Sequence, residues 1–519
     1  MHTSEHDPAH PTPGVAAEQG HPQRWIILAV LCLSLLVVVL DNTVLNVAIP
    51  SITNSLGAST ADIQWMINAY SLVLAGLLLT TGSLSDRFGR KRSLLIGLVL
   101  FTGGSAFAAF AETSLQLIIA RGGMGVGAAF LMPGTLAVLM QIFTPQERPK
   151  AIAAWSAVAM MGLALGPVVG GALLEHFWWG SVFLINLPVG LLAITAIALL
   201  VPESKDPTSR RADVPGVLLS MVMGIGIVYG IVSVAEHGWG STQVLVPLAI
   251  GVAALTGFIL WERRAASPML DVTLFANKHF TGAVASGALI AFALAGSMFL
   301  FTQYLQFVLG YDPLEAGFRV MPLALSVLVI NAVSPKVLAL LGAARTVLIG
   351  LCVVAAGFVA LSTVSADGGY APTLVGMILI GMGVGVAMPA SANALMSAIP
   401  PERAGIASGL MSTLQEAGNA LGVAILGTVM AARFAADLPP FLPDGSERSV
   451  GLALGAAAQA PDAPNVIVTV QNAFVSGMSF SLVCGAVAAL GAGVVAWTML
   501  RQQPTAGVTS PVVTGAGGQ

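Results

Sequence analysis

The chain has 519 residues, of which 56% are hydrophobic and only 9% are Asp, Glu, Lys or Arg. A soluble domain carries about 25% charged residues, so a water-covered exterior is excluded and a lipid-facing one is implied. The net charge of −3 identifies no partner and gives no basis for nucleic-acid binding, while 58 glycines suit closely packed membrane helices.

Residues 1–24 are polar, with several His and Pro, and are expected to form a disordered cytoplasmic tail. The apolar run from Trp25 to Ala48 is too long for a signal-peptide core and reads as an uncleaved first span. At roughly 20 apolar residues per span, fourteen helices are predicted in chain order. They fall near 25–48, 62–81, 93–111, 115–140, 150–174, 180–201, 214–235, 243–261, 279–309, 314–335, 345–365, 371–397, 405–431 and 473–499. Cys32, Cys352 and Cys484 all lie inside apolar runs, so neither a disulfide nor a metal framework is expected.

Lys and Arg set the direction of the spans. Seventeen of the 21 basic residues fall in alternate loops. They are Arg24; Arg87, Arg90, Lys91 and Arg92; Arg148 and Lys150; Lys205, Arg210 and Arg211; Arg263, Arg264 and Lys278; Lys336 and Arg345; Arg403; and Arg501. Arg319, Arg433 and Arg448 occupy the other side, and Arg121 falls inside a helix. The basic side is expected to be cytoplasmic, with both termini on it.

The fourth segment contains Gly123, Gly125, Gly127 and Pro133, followed by Pro145, Glu147 and Arg148. The twelfth contains Gly381, Gly383, Gly385 and Pro389, followed by Pro400, Glu402 and Arg403, at offsets of 258, 256 and 255 residues. Gly89, Arg92 and Gly97 likewise recur as Gly342, Arg345 and Gly350, at an offset of 253. The fourth and twelfth segments are eight apart, so two helices stand between six-helix halves. The expected organisation is a six-helix bundle at 25–201, a cytoplasmic linker at 202–213 and two inserted helices at 214–262. A second linker at 263–278 leads to a six-helix bundle at 279–499 with a long outer loop at 432–472, then a disordered tail at 500–519. Parallel repeats of this kind place substrate near the midplane between rocking halves. The fold class is therefore all-α integral membrane, with two six-helix bundles plus two helices.

Three motifs carry mechanism. Gly82, Asp86, Arg87, Gly89 and Arg90 form a tight loop after the second segment. Its glycines permit the turn, and Asp86 is placed to take Arg90 or a helix N-terminus, either as a conformational latch or as a plain basic anchor. The second-half copy keeps only Gly342 and Arg345, which makes the latch one-sided. In the fifth segment Gly162, Gly166 and Gly170 recur every fourth residue beside Pro167 and Gly171. They form a smooth stripe on which another helix can pack closely, with a kink at the proline. The first segment ends in Asp41-Asn42-Thr43, then Asn46 and Pro50.

The loop 82–92 resembles the signature loop of the major facilitator superfamily, with Ser85 where Ala is more usual. The glycine stripe resembles the antiporter motif of its drug exporters. The first-segment string is similar to the signature of the fourteen-span drug:proton antiporters, which include multidrug, quaternary-ammonium and antibiotic exporters. The likeness covers nearly the whole chain, including 267–275. It implies a proton-coupled antiporter with proton sites at Asp41 and Arg121, working by alternating access.

An ionised side chain near the bilayer centre costs about 2.5–3.5 kcal/mol on insertion scales, so each one calls for a reason. Asp41 is expected about two-thirds of the way through the first segment, toward the outside, as a proton site or a structural carboxylate satisfied by Thr43 or a neighbouring helix. Glu416, midway along the thirteenth, is expected to carry a proton, pair with a cationic substrate or make an interhelical bond. Arg121 is either a fixed charge beside a carboxylate or a structural partner. Asn46, Asn68, Tyr70, Gln303, Tyr304, Gln306 and Asn419 are candidates to line the cavity, with Phe299 in an adaptable apolar wall. Asp41 and Glu416, one in each half, are expected to face the same cavity.

The expected function is proton-driven export of small lipophilic or cationic compounds across the inner (cytoplasmic) membrane; the alternative is a facilitator or importer of a small polar metabolite. Partners are the substrate, protons and lipid, with no nucleic acid, and the chain is expected to be monomeric. No catalytic triad, phosphate loop, cofactor motif or metal cluster is found, so no enzyme is expected.

Overall fold

The computed structural model describes residues 21–205, 213–265, 268–399 and 404–501. Among them there is no strand. Long apolar runs fold as helices because lipid offers no hydrogen bonds, and a helix satisfies its backbone internally. The helices are α1 (Arg24–Leu56), α2 (Thr60–Phe88), α3 (Arg90–Ala109), α4 (Ser114–Ile142), α5 (Arg148–His176), α6 (Ser181–Leu200), α7 (Val214–His237), α8 (Thr242–Glu262) and α9 (Lys278–Val308). The next helix, Pro313–Ser362, is 50 residues long and breaks at Gly342, whose φ of 74° and ψ of 163° are not helical. It therefore holds two spans, α10 at 313–341 and α11 at 343–362. Then come α12 (Ala371–Ser397), α13 (Ala404–Asp437) and α14 (Ala463–Leu500). Among the described residues thirteen helices are long and apolar enough to cross a membrane, and the break at Gly342 makes fourteen spans.

Gly89 joins α2 to α3 with φ 120°. Gly342 joins α10 to α11 at the equivalent place 253 residues later, also at positive φ, where a Cβ is disfavoured. The contacts of the motif glycines recur as well, but at an offset of 256 residues, two short of the 258 expected from the glycine string. A Cβ on Gly125 would lie 2.7 Å from the Tyr70 carbonyl oxygen, and one on Gly381 would lie 2.5 Å from that of Leu323. On Gly127 it would lie 2.6 Å from the Gly97 carbonyl oxygen, and on Gly383 2.5 Å from that of Gly350. These helices touch backbone to backbone, as membrane packing favours.

Several expected boundaries are corrected. Helix α1 continues past Ala48 to Leu56, where Gly57 caps it in the left-handed conformation. Helix α13 runs to Asp437 and α14 starts at Ala463, so the expected loop 432–472 shrinks to 438–462. That segment contains a 3₁₀ turn, Ser446–Arg448, and a short helix, Val450–Ala457. Helix α13 overruns its apolar stretch through the alanine-rich string 432–437, which stays helical where hydropathy no longer reports it. Helix α9 ends in a π-helical turn, Tyr304–Val308. The expected tails over 1–20 and 502–519, and Arg210, Arg211, Ser267, Pro400, Glu402 and Arg403, lie outside the described residues.

Two seams join the first six helices to the last six. Along one, Gly171 of α5 faces the backbone of Pro313 and Leu314, and Gly317 of α10 faces the backbone of Pro167. Along the other, Gln64 of α2 donates to the carbonyls of Val423 (2.9 Å) and Ala424 (3.1 Å) of α13, and Leu79 packs on Gly409. Helix α7 lies on this second seam, where Val228 and Val232 cluster with Leu72, Ala420 and Ala424. Helix α8 backs it through Gly226 and Gly251, which meet at their backbones.

The first seam is tight at one end only. In α5 the buried residues are Gly162, Gly166, Pro167, Gly170 and Gly171, with Ala151 alone on the side of the basic loops. In α10, likewise, Ser334 is the one buried residue between 328 and 341. The two helices are thus joined away from the basic face and separate toward it. Gln306 of α9 reinforces the closed end by donating to the Val47 carbonyl of α1 (2.9 Å). On the basic face Arg24 pairs with Glu147 (2.8 Å), and its hydrogen bond holds the Glu147 carboxyl below the ordinary carboxylate range.

Gly127→Val is expected to destabilise the protein by about 1–3 kcal/mol, because its side chain meets backbone that cannot yield. Gly123→Val, four residues earlier and with open space around it, is the control and leaves the melting temperature in detergent unchanged. Equal melting of the two variants would contradict the packing described.

Candidate functional site

The extension of α1 places Asp41 at the middle of a 33-residue helix, not two-thirds along it. Arg121 enters from the second turn of α4. The two form a buried ion pair between Arg121 Nη1 and Asp41 Oδ2, with 0% and 3% of the residues exposed. Asn186 of α6 donates to the other carboxylate oxygen (3.1 Å) and to Ser105 Oγ of α3 (3.0 Å). Ser105 in turn donates to the Phe183 carbonyl (2.8 Å). Arg121 Nε donates to the Met66 carbonyl (3.2 Å), and the guanidinium sits over the Tyr70 ring at 4.4 Å. Five helices thus converge on one pair of charges. Arg121 lies beside a buried carboxylate, where either role weighed for it would place it.

Thr43 does not serve Asp41. Its hydroxyl donates to the carbonyls of Leu40 (3.0 Å), Val39 (3.1 Å) and Gly162 (3.4 Å). The glycine stripe of α5 lies on this stretch, with Gly162 against Val39, Gly166 against Thr43 and Gly170 against Val44. Pro167 and Gly171, on the neighbouring face, carry the α10 seam. The stripe therefore links the turn that holds Asp41 to the contact that closes one end of the molecule.

Glu416 comes from the other half, on α13. It lies on the α2/α13 seam, with Asn419 and Ser71 in hydrogen-bonding reach of its carboxyl group, while its Oε2 is buried without a hydrogen-bond partner. Tyr70 lies within electrostatic reach of Asp41, Arg121 and Glu416.

The expected cavity wall is only partly assembled. Asn46 borders a cavity of about 30 Å³ between α1, α5, α9 and α10, with Pro167, Met298 and Met321. Phe299, Gln303 and Tyr304 are in the core instead. Gln303 donates to the Phe299 carbonyl of its own helix (2.8 Å), and Tyr304 to the Ser365 carbonyl (2.9 Å). Gln306 ties α9 to α1, and Tyr70 belongs to the charged cluster. Asn68 is fully buried with neither amide atom partnered.

In the loop after α2, Asp86 takes Arg90 (2.8 Å). Arg87 points outward, over the ring of Phe88. Glu203, which the sequence did not single out, closes this loop. Its carboxylate accepts from the Lys91 amide (3.2 Å) and lies 3.6 Å from Arg92, and it fills the space where a Cβ on Gly89 would stand. Gly82 packs toward Pro133 of α4. Asn186 was also missed, although an Asn in the apolar string Leu184-Ile-Asn186-Leu is a signal of the same kind as Asp41.

The sequence profile of the Major Facilitator Superfamily matches residues 31–423. The chain belongs to this superfamily. Among its superfamily relatives, the multidrug efflux pump LfrA of Mycolicibacterium smegmatis is 36% identical over 94% of this chain and 99% of its own length. The tetracenomycin C resistance and export protein of Streptomyces glaucescens is 32% identical over 96% of both chains. The methyl viologen resistance protein SmvA of Salmonella typhimurium is 34% identical over 82% of this chain and 86% of its own. A bacterial homologue of the human lysosomal transporter Spinster, in its inward-facing, unoccupied conformation, shares the superfamily fold with a TM-score of 0.67. The match is 17% identical and covers 92% of this chain and 97% of that one.

Arg121→Met should cost about 3–5 kcal/mol, because it leaves Asp41 buried without its cation. Adding Asp41→Asn to that variant should restore most of the stability, measured by thermal unfolding in detergent. A double variant as unstable as the single one would show that the two side chains are not energetically coupled.

Proposed function

We propose that the protein is a proton-coupled antiporter that exports small lipophilic or cationic compounds across the cytoplasmic membrane. The Asp41–Arg121 pair, held by Asn186 and Tyr70 in the middle of the membrane, carries this reading. An ion pair that replaces water costs more than apolar packing of the same volume, and intramembrane charges mark ion and proton pathways. The relatives' multidrug and antibiotic export supports the direction. In this reading the basic face is cytoplasmic, both termini lie there, two six-helix halves rock about the seams, and α5 and α10 stand open to the cytoplasm.

The coupling runs through contacts already described. Protonation of Asp41 removes one charge of the pair and leaves Arg121 with the Tyr70 ring and the Met66 carbonyl. The turn of α1 that carries Asp41 is packed on the α5 glycines, and α5 is packed on α10. A shift of that turn therefore acts on the contact that closes the outer end. Glu416, on the seam between the halves, supplies the negative charge for a cationic substrate. A membrane potential of 100 mV supplies about 2.3 kcal/mol per charge moved, enough for roughly a 50-fold gradient.

Two variants test the assignment in vesicles loaded with a pH dye and supplied with ethidium as a probe cation. Asp41→Asn keeps a side-chain acceptor for Arg121 and should reach the membrane, yet proton-driven efflux should fall at least 100-fold. Efflux at the wild-type rate would remove Asp41 as a proton carrier. Glu416→Gln should lose ethidium transport while retaining neutral compounds such as tetracenomycin C. Equal loss of both would reassign Glu416 to coupling or structure.

A further inference from the structure

Helix α2 presents a second polar line, separate from the Asp41 cluster. Thr60, Gln64, Asn68 and Ser71 are spaced four, four and three residues apart, and so share one helix face. Contacts fix that face at two levels. Gln64 Nε2 bonds to the Val423 and Ala424 carbonyls of α13, and Ser71 lies in reach of Glu416. Asn68 sits between them on the same seam, with 0% of its surface exposed and no protein partner for its amide nitrogen or oxygen. A buried amide of this kind is satisfied by ordered water.

The line has two ends. Away from the basic face it opens into a cavity of about 210 Å³ lined by Thr60, Gln64, Val232, Glu236, Glu447 and Arg448, several times the share of one water molecule. At the other end stands the unpartnered Oε2 of Glu416. Its surroundings are bounded. The ionisable groups in the cavity are Glu236, Glu447 and Arg448, the last 3.9 Å from Glu236. Near Glu416 stands Tyr70 of α2, which is also within electrostatic reach of Asp41 of α1 and Arg121 of α4. Helix α7 contributes the apolar Val228 and Val232, and α9 contributes Phe299, which with Gln64 flanks Gly427 of α13.

We propose that this face of α2 holds a line of water through which protons reach Glu416 from the side opposite the basic loops, with Gln64 as its gate. The proton leaves a hydronium ion in the outer cavity and passes along water held at Asn68. It forms an O–H bond on a Glu416 oxygen, which changes that carboxylate from −1 to neutral and so releases a bound cation, while neutral compounds depend on Asp41 alone. With Gln64 bound across the seam to α13 the line is closed; separation of α2 from α13 at that level opens it. The route rests on the reading of the chain as a proton-coupled exporter, and it makes Asn68 a positioning residue rather than part of the substrate wall.

The test uses the full chain in pyranine-loaded vesicles, with ethidium as probe and an acidic compartment facing the outer side. Asn68→Leu should lower proton-driven ethidium efflux at least tenfold and flatten its dependence on outer pH. Asn68→Ser, which lacks the amide but leaves room for water, should restore efflux to within threefold of wild type. If Ser fails to restore it, or if Leu lowers ethidium affinity in the same proportion as efflux, the route is overturned and Asn68 is a substrate or packing contact. Gln64→Ala should raise the decay of a pH gradient several-fold in the absence of ethidium, a gain that misfolding does not mimic; an unchanged decay overturns the gate. A wild-type protein that exports ethidium but moves no protons would instead overturn the antiport reading itself.

Discussion

The buried charge pair between α1 and α4 is the constraint around which the first half of the molecule is arranged. Water cannot compensate Asp41 and Arg121 at that depth, so the protein must do so with its own groups. Asn186, Ser105, the Met66 carbonyl and the Tyr70 ring all serve that purpose. They come from three helices, α2, α3 and α6, and the demand for hydrogen bonds around the α1–α4 pair thereby fixes how α1, α2, α3, α4 and α6 sit around one another. Apolar packing alone, in a solvent as apolar as the side chains, gives much weaker orientation.

The two seams between the halves are built differently. The α5/α10 seam consists of glycine against backbone at one end and separates toward the other. The α2/α13 seam is bridged by a side-chain amide and covered by α7. A contact made by van der Waals approach alone is lost over a small separation, whereas one backed by a third helix resists it. The extra helices thus make the molecule asymmetric about an axis that its repeat would otherwise leave balanced.

Much of this was legible in the sequence, for identifiable reasons. Asp41, Arg121 and Glu416 stood out because charges are rare inside apolar runs, and the glycine repeat stood out because its spacing is preserved at offsets that agree within five residues. Pairing was not legible. Nothing in the order of residues says that Arg121 meets Asp41 rather than Glu416, or that Asn186 completes the set, since those contacts join residues 80 and 145 positions apart. Phe299, Gln303 and Tyr304 have a composition suited to a binding wall, but all three pack in the core, Gln303 on its own helix and Tyr304 through the Ser365 carbonyl beyond α11. The ends of α13 and α14 were missed because hydropathy records the thickness of lipid, not the length of a helix.

The glycine contacts on backbone carbonyls have an evolutionary consequence. Where two side chains touch, an enlargement on one is offset by a reduction on the other, and the pair drifts together. At Gly125 against Tyr70, or Gly127 against Gly97, the opposing atom is a carbonyl oxygen that every amino acid possesses. No substitution on the facing helix makes room, so these positions have no partner with which to covary. They are expected to stay glycine where the surrounding side chains are free to change.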